Sequence, residues 1–223
     1  MSPLEPTIVA ISRQFGSGAH VIARVVAERL GLPLLDAEII NRAAAAAGVE
    51  PDVIVAAETV PSLITRIVEQ IGRYPLAMEP EGLPATPLPT NLMLTSSDYR
   101  YLIDSVVQQI AEQQSAVIFG HGAAQTLADR AGVLRVFILA PFDLRVRRHA
   151  HDEGIDAEKA RQLVRDNDRE RAEFFRHYYS MDWLDARRYD LVLNTGRLSD
   201  QTVAGLIVDA ARAHLSKEII GLG

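Results

Sequence analysis

Apolar residues fall in short runs separated by polar stretches of helical length. Ile8-Val9-Ala10-Ile11 reads as a buried strand, and Ser12 to Gly18 has no helical period. From Ala19, the residues Val21, Ile22, Val25, Val26 and Leu30 fall on one helical face, and Gly31 ends that helix. Pro33-Leu34-Leu35 is a second short strand ending at Asp36, and Glu38 to Ala47 is a helix stopped by Gly48. A helix is predicted over 61–72, with Pro61 in its first turn, and another over 98–113, with Leu102, Ile103, Val106, Val107 and Ile110 inward. Ala116-Val117-Ile118-Phe119 is a strand running into Gly120-His121-Gly122, and residues 133–140 form the longest apolar strand. A charged helical region over about 143–179 precedes a last strand, Asp190-Leu191-Val192-Leu193. Ser199 or Asp200 caps a final helix through Val203, Leu206, Ile207 and Ala210.

Strands alternating with helices predict a parallel sheet covered on both faces. Ligands of such sheets bind beyond the carboxyl ends of the strands. That rule selects 12–20, Asp36, 120–122, the residues after Ala140, and 194–197.

Residues 75–97 break the pattern, with Pro75, Pro80, Pro84, Pro87 and Pro89 among Gly82, serines and threonines. This is a long loop, and loops of that length in compact domains tend to be functional or mobile. The 223 residues fit one domain with an insertion or a small lid.

Composition narrows the function. Hydrophobic residues make up 48% of the chain, enough for a core. There is no cysteine, hence no disulfide and no thiolate chemistry. No apolar run approaches the roughly 18 residues of a membrane span, and the first six residues lack the pattern of a signal peptide. The lack of cysteine fits a cytoplasmic protein without demanding one, and no membrane partner is expected. A net charge of −6 argues against nucleic acid as partner. Yet arginines crowd between Arg145 and Arg188, including Arg147, Arg148, Arg161, Arg165, Arg169, Arg171, Arg176 and Arg187. An arginine-rich segment in an acidic chain suits a small anionic ligand or a solvated, ion-paired helix.

The strand–loop–helix at 8–30 carries the clearest chemistry. Two close glycines, Gly16 and Gly18, let the backbone around Ser17 curl so that its N–H groups point inward at a helix N-terminus, which attracts anions. Aligned on the phosphate-loop pattern G-x-x-x-x-G-K-[ST], Gly18 takes the last glycine, Ala19 stands at the lysine and His20 at the hydroxyl residue. The first glycine position is Arg13, a candidate source of positive charge.

The stretch Ile11-Ser12-Arg13-Gln14-Phe15-Gly16-Ser17-Gly18 resembles the opening signature of the bacterial cytidylate-kinase-like family, a branch of the nucleoside-monophosphate kinases. The resemblance continues through Leu35-Asp36-Ala37-Glu38-Ile39-Ile40, Val117 to Ala123, Leu134 to Phe137 with Ala140-Pro141, Asp168-Arg169-Glu170-Arg171-Ala172, Asp182-Trp183, and Tyr189 to Thr195. It implies a three-layer α/β/α P-loop NTPase-like domain with a parallel sheet and a helical, arginine-rich lid at about 150–185, the core spanning about 7–74 and 98–215 around the 75–97 insert.

The resemblance further implies ATP and Mg²⁺ as cofactors and CMP or dCMP as acceptor. Catalysis would fall to Arg13, Asp168, Arg169 and Arg171. ATP would lie on Gly16, Ser17, Gly18, Ala19, His20, Arg145 and Arg148, and the acceptor on Asp36, Arg42 and His121. Helical spacing puts Arg165, Asp168 and Arg169 on one face, with Asp168 able to orient either arginine and Arg171 offset. No residue set is expected to hold a metal by itself, and a homodimer through the 61–72 and 98–113 helices is open. Two departures stand out: His121 and His20 occupy places where the family commonly carries arginine. They leave two further readings, a nucleotide-binding protein with little transfer activity, or a kinase for another small acceptor.

Overall fold

The computed structural model describes residues 7–59 and 96–220. The expected helix over 61–72 and nearly all of the 75–97 insert lie outside the described residues. The described elements are β1 (Ile8–Arg13), α1 (Ala19–Leu30), β2 (Leu34–Leu35), α2 (Ala37–Ala47), α3 (Pro51–Thr59), α4 (Ser96–Gln113), β3 (Ala116–Phe119), α5 (Ala123–Thr126), β4 (Val133–Leu139), α6 (Phe142–Glu153), α7 (Ala157–Tyr179), β5 (Leu191–Asn194) and α8 (Asp200–Ile220). A single 3₁₀ turn spans Ala186–Arg188.

The five strands lie side by side in the order β2-β3-β1-β4-β5, every neighbouring pair parallel. β1 is central, with Ile8 beside Ala116 on one flank and Val133 on the other. The period of two along each strand separates two cores. Ile8 and Ala10 of β1 and Phe137 of β4 pack with α2, α4 and the aromatic end of α7. Val9 and Ile11, with Leu134, Val136 and Ile138, pack against α1 and α8 on the opposite face. This is the three-layer α/β/α arrangement expected from the sequence.

Four local features differ from the sequence reading. The inward face of α1 is Ala19, Ile22, Ala23, Val26 and Ala27, while Val21 is 53% exposed. Small alanines, rather than the largest apolar residues, define the side that lies close on the sheet. α3 was not anticipated, although Pro51 followed by Asp52 is a common helix opening. The long charged region is two helices. Gly154, at φ 63°, ends α6, and Asp156 caps α7 by accepting from the amides of Glu158 (3.0 Å) and Lys159 (2.9 Å). α5 is a single turn, too short to leave a period.

α6 and α7 pack together through Val146, Ala160 and Val164, with Phe15 of the glycine loop against the same cluster. That contact places the arginine-rich helices over the carboxyl end of the sheet.

Candidate functional site

The loop after β1 has the backbone of an anion site. Gly16 and Gly18 stand at φ 75° and 80°, a region that side chains rarely occupy. Gly18 is the residue before α1, no side chain caps that helix, and its first turn holds no acidic residue. Its first N–H groups and the partial positive charge of the helix end are therefore available to an anion. The Ser17 hydroxyl is buried with no hydrogen-bond partner among the described residues.

The loop is braced from three sides. Gln14 donates its backbone N–H to Ile138 (2.9 Å), and its side-chain oxygen accepts from the amide of Ala140 (3.2 Å). Arg148 donates to the Ser17 carbonyl (2.8 Å) and to the Thr195 hydroxyl (2.9 Å), which itself donates to the Ser17 carbonyl (2.8 Å). Arg145, only 3% exposed, donates to the carbonyls of Ala140 (3.1 Å) and Phe15 (3.3 Å). A Cβ on Gly16 would come within 2.9 Å of the Arg145 carbonyl oxygen, so only glycine lets the loop pass so close.

A second set of residues gathers beyond β1 and β3. Ser12, Arg13, Gly120, His121, Gly122, Arg171, Phe175 and Trp183 line one narrow cleft. The Arg13 guanidinium lies 4.4 Å from the centre of the Phe119 ring and covers Gly120, where a Cβ would strike it. His121 is 6% exposed and has φ 54°, a left-handed conformation that costs a non-glycine residue about 1–2 kcal/mol. Its Nε2 donates to Asp36 Oδ1 at 3.0 Å. Burial pushes the Asp36 carboxyl up, but the hydrogen bond and charge of His121, with the charges of Arg13 and His20, outweigh it and hold Asp36 below the ordinary carboxylate range.

Behind the cleft, Arg100 donates to the His121 carbonyl (2.8 Å), to Thr126 Oγ1 (3.2 Å) and to both carboxylate oxygens of Asp104. Tyr189 stacks on Phe137 and donates to the Trp183 carbonyl (2.9 Å). Burial pushes its phenol up to about 12, so it stays a donor.

The expected site residues divide accordingly. Gly16, Ser17, Gly18, Arg145 and Arg148 meet at the loop, and Arg13, His121 and Arg171 meet at the cleft with Asp36 beside it. Arg13 thus faces the cleft rather than the loop. Ala19 is buried, and the exposed His20 has its ring edge-on to Phe119 and lies 3.1 Å from Arg24. Arg42 pairs with Glu38 on the exposed side of α2 (2.8 Å).

The expected pairing within α7 is overturned. Asp168 orients neither Arg165 nor Arg169 but reaches across to Arg145, with two bonds of 2.9 and 2.8 Å. Arg165 lies over the Phe142 ring, and Arg169, 65% exposed, pairs with Asp166 (2.7 Å). A fork matching a carboxylate outweighs same-helix spacing. Arg171, judged offset from that face, is the one that enters the cleft. Arg100, Phe175 and Trp183 were missed as site residues. For Arg100 a signal existed, because Asp104 lies one helical turn on and an arginine beside apolar Leu102 and Ile103 needs a partner.

The profile of the Cytidylate kinase-like family matches residues 8–197. The chain belongs to that family. Among its relatives, a cytidylate kinase of Methanopyrus kandleri is 28% identical over 124 residues, which cover 52% of this chain and 64% of that protein. A cytidylate kinase of Methanothermobacter thermautotrophicus is 26% identical over 85% of this chain and 96% of its own length. Both sources are archaeal, so the match establishes the family and not a bacterial branch of it. In solved structures, an uncharacterized protein from Eubacterium ventriosum superposes with a TM-score of 0.62 at 21% identity, covering 92% of this chain and 98% of that one. The family member thus shares its fold over nearly its whole length. Among the described residues, no helix is long and apolar enough to cross a membrane, and no group of three or more His, Cys, Asp or Glu side chains is placed to hold a metal ion.

Proposed function

We propose that the protein transfers the γ-phosphoryl group of ATP to a nucleoside monophosphate, CMP or dCMP. The observation that carries this reading is the convergence, at the same end of the sheet, of two features suited to anions. They are the uncapped glycine loop of α1 and the cleft holding Arg13, His121 and Arg171.

The residues fit ATP. The open helix N-terminus, the two left-handed glycines and the buried hydroxyl of Ser17, without a hydrogen-bond partner among the described residues, make a cradle suited to its phosphates. Mg²⁺ fits as an ion held mainly by nucleotide phosphates and water, its usual mode, with the ionised Asp36 as the carboxylate beside the cleft. The metal supplies charge neutralisation on the phosphates.

In the transfer, an acceptor phosphate oxygen forms a bond to the γ-phosphorus as the bond to the β-phosphate oxygen breaks and ADP leaves. The protein contributes position and positive charge rather than covalent chemistry. Arg13 and Arg171 hold the acceptor phosphate and share the charge on the transferred group. His121, fixed on Asp36, donates beside them. Phe175 and Trp183 give the cleft an apolar wall suited to a planar base.

A second reading, nucleotide binding with little transfer, is favoured by one observation. The usual lysine position holds the buried Ala19, and the cations at the loop, Arg145 and Arg148, already bond to protein oxygens. Coupled ADP release measured with CMP, dCMP, UMP and AMP separates the two. Stimulation by a cytidine monophosphate supports transfer. ATP binding with no stimulation by any acceptor establishes the second reading.

A further inference from the structure

Arg145 joins three parts of the protein. Its own helix, α6, starts just past the end of β4, where its Nε donates to the Ala140 carbonyl (3.1 Å). Its Nη1 donates to the carbonyl of Phe15, next to Gly16 in the phosphate loop (3.3 Å). The outer edge of its guanidinium meets Asp168 of α7 in a paired fork of 2.9 and 2.8 Å. The side chain of Arg145 is 4% exposed and that of Asp168 28%. A fork with both bonds made fixes the rotation of the guanidinium plane, and so the direction of its remaining N–H groups.

Asp168 does not line the cleft, whereas Arg171, one turn further along α7, does. The carboxylate is spent on Arg145. We infer that Asp168 is a positioning residue for the phosphate loop: by orienting Arg145 it holds the Phe15–Gly16 backbone in its anion-binding shape, and it touches neither nucleotide. The same bond sets where α7 crosses the loop. The loop therefore takes its shape from a residue more than 150 positions later in the chain. Only the kinetic consequence of this inference rests on the proposed phosphoryl transfer.

The experiment has one arm that needs no turnover. Amide ¹H–¹⁵N spectra of the ligand-free protein are recorded for wild type, Asp168→Asn and Asp168→Glu, and ATP affinity is measured by calorimetry. Asparagine keeps the shape but loses the charge and one acceptor; glutamate keeps the charge on a longer arm. The expected result is displacement of the Phe15, Gly16, Ser17 and Gly18 resonances in Asp168→Asn. ATP affinity falls about tenfold, the scale of one lost charge-assisted hydrogen bond, and is partly restored in Asp168→Glu. In an Arg145→Lys background, Asp168→Asn changes affinity less than about twofold, because the two residues act as a unit.

Where turnover is measurable, KM for the acceptor stays within about twofold of wild type. Unmoved loop resonances in Asp168→Asn overturn the inference, as does a rise in acceptor KM with ATP affinity unchanged. If no acceptor is phosphorylated, the proposed function fails, while the spectra and calorimetry still decide the role of Asp168. Should Asp168→Asn not fold, Asp168→Glu carries the same readouts.

Discussion

Arg100 donates to the carbonyl of His121 at 2.8 Å, across 21 positions of sequence, and His121 sits at φ 54°. The strained turn at the mouth of the cleft is thus held from behind by a buried guanidinium. The same guanidinium bonds Asp104 and lies within 5.7 Å of the Phe174 ring and 5.3 Å of the Tyr179 ring. Replacing it leaves the Asp104 carboxylate without its strongest partner. Arg100→Met is expected to lower unfolding free energy by about 2–4 kcal/mol, somewhat under the roughly 3–5 kcal/mol for breaking a fully buried ion pair because Asp104 is 28% exposed. Urea denaturation checks this, and Asp104→Asn in the same background should recover part of the loss.

The Asp36 carboxyl titrates below its ordinary value in the folded protein. A depressed folded pKa adds stability that is fully present above the unfolded value, near 3.8, and is lost as pH falls through the lowered folded value. The gap in melting temperature between wild type and Asp36→Asn should therefore hold from pH 7 to about 5 and close below about 4. Thermal melts across that range test the sign. A gap that widens in acid contradicts it.

Gly16 and Gly31 both have positive φ, 75° and 66°, but only Gly16 is also crowded. A Cβ at Gly31 would meet nothing within 4 Å, whereas one at Gly16 would lie 2.9 Å from the Arg145 carbonyl oxygen. Gly31→Ala should cost about 1 kcal/mol from backbone strain alone and leave ATP affinity unchanged. Gly16→Ala should cost more and weaken ATP binding about tenfold or beyond, because the loop must move away from α6. Paired denaturation and calorimetry on the two variants make the comparison.

Arg169 and Arg171 stand two residues apart on α7 yet face different surroundings. Arg169 pairs with Asp166 in solvent, and Arg171 lines the cleft. Arg171→Gln should depress kcat by about 10²–10³, the cost of removing one donor from a developing oxyanion. Arg169→Gln should stay within about twofold, as exposed ion pairs contribute little. Steady-state kinetics of both variants against ATP and CMP provide the measurement.

Much of the layout was legible in the chain because strand runs and glycine stops are local signals. β1, the glycine loop, α1 and the Gly120–Gly122 turn follow from the alternation of apolar runs with Gly16, Gly18, Gly31 and Gly48. The break between α6 and α7 was legible too, in Gly154 and Asp156, but was lost in a run of charge. Side-chain partners were not legible. The choice of Arg145 over Arg165 for Asp168 depends on how two helices pack, and helical spacing describes only one of them. Spacing on α4 pairs Arg100 with Asp104, but its bond to the β3–α5 turn and its place over the rings of α7 depend on the same packing of separate elements. Arg13 sits next to the phosphate loop in sequence but points across β1 toward Phe119 and Gly120, a direction set by the neighbouring strand.

The central claim, that the glycine loop and the Arg13–His121–Arg171 cleft together pass a phosphoryl group between nucleotides, is tested most directly by ³¹P NMR of the protein with ATP, Mg²⁺ and CMP. The account predicts loss of the ATP β- and γ-phosphate signals and growth of two diphosphate sets, ADP and CDP, in equal amounts, with both changes slowed about 10²–10³-fold in Arg171→Gln. Release of inorganic phosphate with no CDP, or an unchanged ATP spectrum under conditions where ATP is shown to bind, would contradict it.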